Sequence, residues 1–121
     1  MEKLTPREEE LMRCFWKRGP LFVRELVEMA PEPKPHFNTI STMVRALEAK
    51  GYVAHKSFGN TYQYYPVVDE QAFSRRTLGS VIDRYFKRSG LGAVSALVEE
   101  ELISVDELRE LIDRIERQND K

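Results

Sequence analysis

Apolar residues recur at intervals of three and four in six stretches of this chain, and alternate with polar ones in two more. The first helical stretch carries Leu11, Met12, Phe15 and Trp16. Thr5-Pro6-Arg7-Glu8 opens it as a capping box. The Thr5 hydroxyl accepts from the third amide of the helix, Glu8 reaches back, and Pro6 stands where a missing N–H costs nothing. Lys17-Arg18-Gly19-Pro20 ends it. Val23, Leu26, Val27 and Met29 predict a short second helix over Phe22 to Ala30, stopped by Pro31. The run Pro31-Glu32-Pro33-Lys34-Pro35 is a stiff connector that cannot be helical. Ile40, Met43, Val44 and Leu47 then form the stripe of a third helix, with Asn38 as its expected N-cap. Gly51 is its exit, where the backbone needs φ > 0.

Tyr52 to Ser57 and Thr61 to Val67 alternate and carry β-branched and aromatic residues. Gly59-Asn60 between them is a turn signal, so the pair reads as a β-hairpin. Beyond Pro66 the helical period returns. Asp69 is placed to cap a helix from about Glu70 to Arg88, with Phe73, Leu78, Val81, Ile82, Tyr85 and Phe86 on one face. Ser89-Gly90 breaks it, and Leu91 to Leu102 continues with Leu91, Val94, Leu97 and Val98 in register. Ser104-Val105-Asp106-Glu107 is another capping box, and starts a last helix striped by Val105, Leu108, Leu111, Ile112 and Ile115.

Helix, short helix, Pro-rich connector, helix and hairpin is the order of a winged helix-turn-helix. The predicted fold is mainly α with a small β wing: a winged-helix domain over residues 1–67 and a helical domain over 68–121. A segment as short as the second cannot bury three amphipathic stripes on itself. Val81, Ile82, Tyr85, Leu97, Leu108, Leu111, Ile112 and Ile115 must then pack either on the first domain or against a second copy, and a homodimer is the expectation preferred.

Opposite the stripe of the third helix lie Asn38, Thr42, Arg45 and Ala49, flanked by Thr39, Ser41 and Ala46. A solvated helix face usually alternates Glu and Lys. This one is short-chained and polar, with one guanidinium and no acid at its middle. Small residues allow close approach to a DNA groove, hydroxyls reach phosphates and bases, and arginine can take guanine O6 and N7 together. Lys50 at the end of the helix, and His55, Lys56, Asn60 and Thr61 on the wing, extend the same expected surface for double-stranded DNA.

Charge sharpens this picture. The whole chain carries −1, but residues 1–66 hold 10 Lys/Arg against 8 Asp/Glu, net +2, and residues 67–121 hold 9 against 12, net −3. Between 34 and 63 there are four basic residues and one acid, Glu48. That is a mild electrostatic footprint, which predicts modest nonspecific affinity and a need for pairing to bind tightly. Near-neutral charge also keeps a rival open, a winged helix used for protein contact without DNA. One cysteine, Cys14, cannot form an internal disulfide. No stretch approaches a membrane span and no secretory signal opens the chain, so a cytoplasmic location without membrane insertion is expected. No Gly-rich phosphate loop, nucleophile signature or Cys/His metal spacing occurs, so neither an enzyme nor a cofactor is predicted.

With these pieces placed, the chain resembles the BlaI/MecI family of bacterial repressors, the penicillinase and methicillin-resistance repressors. The resemblance rests on Leu4-Thr5-Pro6 with Glu8-Glu9, Trp16, Val23-Arg24-Glu25-Leu26, Asn38-Thr39-Ile40-Ser41-Thr42, Arg45-Ala46-Leu47, Lys50-Gly51-Tyr52-Val53 and Tyr62-Gln63-Tyr64-Tyr65-Pro66. It implies a dimeric repressor on a dyad-symmetric operator, with Thr39, Thr42 and Arg45 in the recognition helix and Lys56 in the wing. It also implies a partner, a membrane-bound sensor metalloprotease that relieves repression by cutting an Asn-Phe bond in the C-terminal domain. The nearest position here reads Ser95-Ala96, which marks a cleavage region without that bond. Copper-responsive relatives carry paired cysteines near the C-terminus, which this chain lacks.

Overall fold

The computed structural model describes residues 3–120. They form two compact units, divided between Ser74 and Arg75. In the first, α1 (Pro6–Arg18) starts as its capping box dictates. The Thr5 N–H donates to Glu8 Oε1 at 2.8 Å, and the Glu8 N–H to Thr5 Oγ1 at 3.2 Å. Leu11, Met12 and Phe15 are buried. Trp16 is half-buried, its ring 5.2 Å from that of Phe73, and its Nε1–H donates to the Val68 carbonyl at 2.8 Å.

The second helix was expected from Phe22. Instead Leu21–Phe22 is a strand, β1, and α2 runs Val23–Met29. The Phe22 N–H, freed from any helix, donates to the Glu25 carboxylate at 2.8 Å. β1 pairs antiparallel with β3, Leu21 opposite Tyr64 and Phe22 opposite Gln63. The hairpin of β2 (Val53–Phe58) and β3 (Thr61–Pro66) thus belongs to a three-stranded sheet of order β1-β3-β2. Gly59 turns it with φ at +60°.

α3 (Phe37–Ala49) begins earlier than expected. His36, not Asn38, is the N-cap, and Asn38 lies inside the first turn. The His36 carbonyl accepts from the Ile40 N–H at 3.2 Å, adding a helical bond for little further ordering. At the other end Gly51 takes φ +88°. Its N–H donates to the Glu48 carbonyl and that of Tyr52 to the Leu47 carbonyl, each at 3.0 Å, closing the helix in a Schellman turn. Ile40, Val44 and Leu47 are buried, and Met43 packs at the core's edge. The core is completed by Leu4, Leu21, Val23, Leu26, Tyr52, Val53 and Tyr64. All of it lies in the first unit.

α4 (Glu70–Tyr85) is capped by Asp69, whose Oδ1 accepts from the Ala72 N–H at 2.7 Å. It stops short of the expected Arg88 because Lys87 and Arg88 turn to positive φ. α5 (Gly90–Glu99) is capped by Ser89 and ends before the expected Leu102, where Glu101 takes φ +59°. α6 (Val105–Asn119) opens on its capping box, Ser104 with Glu107. No described residue from Arg75 onward is buried. Among the described residues no helix is long and apolar enough to cross a membrane.

Candidate nucleic-acid interface

Burying Ile40, Val44 and Leu47 against α1 and α2 fixes the rotation of α3 and leaves its polar face outside. Asn38, Thr39, Thr42 and Arg45 are exposed along that face; Ser41 is half-buried at its flank. His36 supplies no side-chain cap, so the amides of the first turn are not claimed by it. The Thr42 hydroxyl donates to the Asn38 carbonyl at 2.9 Å, and Arg45 Nη2 lies 3.5 Å from that hydroxyl. The guanidinium is thereby held beside Thr42 on the exposed face of the helix.

The wing supplies the neighbouring surface. Lys56, Asn60 and Thr61 are exposed, and Lys56 Nζ stands 5.7 Å from the centre of the Tyr65 ring. His55 is turned toward α3: its Nδ1 lies 2.7 Å from Glu48 Oε2, and its ring stacks on Tyr62. Lys50 points elsewhere. Its ammonium donates to Glu8 Oε1 at 2.7 Å and to the Lys3 carbonyl at 3.1 Å, with 19% of the side chain exposed. It is a strut between α3 and the start of α1, not a free cation on the polar face. The fold therefore brings nine of the ten expected contact residues to the helix face and wing and turns Lys50 away.

Glu8 answers to both its partners. Burial pushes its carboxyl up, but the Lys50 ammonium and the Thr5 amide more than offset this and hold it below the usual carboxylate range. Burial also pushes the Cys14 thiol up, so it stays protonated at neutral pH. Sequence reasoning missed two residues beside the expected surface. Arg24 lies 5.1 Å over the Phe22 ring, which meets Phe58 of the wing edge-on. Glu48, counted in the sequence only as the one acid of this stretch, meets His55 of the wing. The contacts of Phe22 with Phe58 and of Glu48 with His55 carry no local signal, because folding brings them together from separate elements.

In the second unit Val81, Tyr85, Leu97, Leu111, Ile112 and Ile115 are exposed, and Ile82 and Leu108 are half-buried. Ser95 and Ala96 lie inside α5, Ser95 exposed. No group of acids, histidines and cysteines that could hold a metal occurs among the described residues.

A three-helix head, a small antiparallel sheet and an outward polar face on the third helix define a winged helix-turn-helix protein. Residues 4–117 match the family model described as penicillinase repressor, and the chain belongs to that family of bacterial transcriptional repressors. It is similar to the methicillin resistance regulatory protein MecI of Staphylococcus aureus strain N315, 28% identical over 112 residues that cover 90% of this chain and 89% of the relative. MecI of Mammaliicoccus sciuri is 28% identical over the same shares. The penicillinase repressor of Bacillus licheniformis is 24% identical over 120 residues, 98% of this chain and 94% of its own. Membership makes the chain a DNA-binding regulator of transcription rather than an enzyme, and displaces the rival of a winged helix without DNA.

Proposed function

We propose that two copies of this chain pair through α4, α5 and α6 and set their α3 helices in successive major grooves of a dyad-symmetric operator, blocking transcription. The observation that carries this is the outward face of Asn38, Thr39, Thr42 and Arg45, short and polar beside an exposed wing. Arg45 and Thr42 read base edges; Lys56, Asn60 and Thr61 hold phosphates. Pairing is supported by a second unit whose stripes stay uncovered in the single chain. A dimer buries them and links two weak half-site contacts into one tight one.

Relief of repression follows from loss of pairing. Scission at Ser95–Ala96 would detach α6 and half of α5 from the rest of the stripe. The partner this requires is a membrane-bound sensor metalloprotease, and a gene for one beside this gene supports the route. An inducing signal that leaves the chain whole excludes it. The central test is a gel-shift titration against the upstream region of the protein's own gene, at two salt concentrations. A retarded band containing two chains, weakened by salt, is the expected result; no band at either salt overturns the reading.

A further inference from the structure

Glu48 is the one acid between positions 34 and 63, and it sits on α3 one turn beyond Arg45. A lone carboxylate beside a surface that must meet phosphates opposes binding unless it is neutralised. His55 stands 2.7 Å from it, Nδ1 to Oε2, with the two side chains 34% and 31% exposed. The imidazole is held from its other side as well. It stacks on Tyr62 at 4.3 Å and 30°, and leans on Tyr64 at 5.5 Å. Glu48 belongs to α3, His55 to β2, and both tyrosines to β3, so one cluster ties the helix to both strands of the wing.

The titratable and charged groups around the imidazole are Glu48 on α3, Tyr62 and Tyr64 on β3, and Lys56 next to it on β2, with Arg45 on α3 acting on Tyr64. Tyrosines ionise far above neutrality; burial, and then the Glu48 charge, push the Tyr64 phenol higher still. Histidine is the side chain that changes charge near neutral pH. An ionised carboxylate only accepts hydrogen bonds, so Nδ1–H donates to Glu48 and the open site for a second proton is Nε2. An exposed pair of this kind adds little to stability. Its consequence lies in where the wing stands and what charge the face carries.

We propose that Glu48 and His55 are positioning residues for DNA binding: their bridge sets the wing against the recognition helix, and a proton taken from solvent by His55 as phosphates approach turns it into an ion pair that cancels the one negative charge on this face. The proposal rests on the DNA-binding surface described above. It makes binding proton-linked, so affinity falls as pH rises, by at most about tenfold per pH unit for one proton.

The test is fluorescence anisotropy of the full chain on a short mixed-sequence duplex at low salt, from about pH 6 to about pH 8. The wild type is expected to weaken roughly three- to tenfold across that range. His55→Gln keeps a donor for Glu48 but no titrating charge. Whatever its affinity at the upper pH, it should lose most of the pH response. His55→Ala, with neither donor nor charge, should bind more weakly at every pH. His36→Gln removes the only other histidine and should keep the response. Glu48→Gln, a second variant that leaves the imidazole in the chain and removes the charge it faces, should bind more tightly at the upper pH with a flatter profile. A flat wild-type profile, a response that survives His55→Gln, or one lost with His36→Gln overturns the proposal. Absence of wild-type binding at any pH overturns the DNA-binding surface instead.

Discussion

Lys50 and Lys56 look alike in the sequence: each is a lone base close to the third helix. Folding separates them, because the ammonium of Lys50 meets a carboxylate that α1 has carried inside. Glu8 is 5% exposed and closes the capping box while holding Lys50, so one carboxylate joins two helices. Glu8→Gln is expected to cost about 1.5–3 kcal/mol at neutral pH, the range for a hydrogen bond to a charged group, measured by urea denaturation. Its depressed carboxyl fixes the pH dependence. The contribution is complete above the ordinary glutamate range near ~4.3 and is lost as pH falls through the lower folded value, so variant and wild type should converge in acid. Arg45 makes the other prediction at this scale. Arg45→Ala should weaken operator binding by about 1–3 kcal/mol and relax preference at one base position, checked by competition among single-base operator variants. An equal loss on every sequence would place Arg45 on phosphate alone.

At the scale of elements, what was local was legible. The capping boxes at Thr5 and Ser104, the Asp69 cap, the Gly51 exit and the Gly59 turn each depend on atoms a few residues apart, and each is present. β1 was not legible. Two apolar residues have no period, and only pairing with Tyr64 and Gln63, far along the chain, makes them a strand. The same pairing anchors the wing, since β3 is the middle strand. With the hairpin held from one side, Lys56 on β2 sits at a fixed place on the outer surface. Lys56→Ala should therefore lower the slope of log K against log salt by about one, on operator and mixed DNA alike. An unchanged slope would take the wing off the list of phosphate contacts.

For the whole molecule the decisive contrast is between the two units. The first has a core of thirteen buried apolar residues; the second has no buried residue among those described. Three striped helices without an interior are what the proposed pairing would cover. Ile112 on α6 is 50% exposed in the single chain. Ile112→Asp should leave the first unit folded yet yield monomers in sedimentation, because pairing would bury an uncompensated charge. Operator affinity should fall with it, through loss of linkage. A variant that sediments as a dimer would move the pairing to another face.

Sequence alone determined the period of each helix, most of the caps, the turn of the wing and the residue types on the outward face of α3. These depend on chain neighbours and on which side of a helix is apolar. Tertiary structure alone decided that Leu21 and Phe22 form a strand, that Lys50 faces Glu8, and that Glu48 meets His55. Each joins residues that share no period and no turn, so their meeting is set by how α1, α3 and the sheet pack around one core.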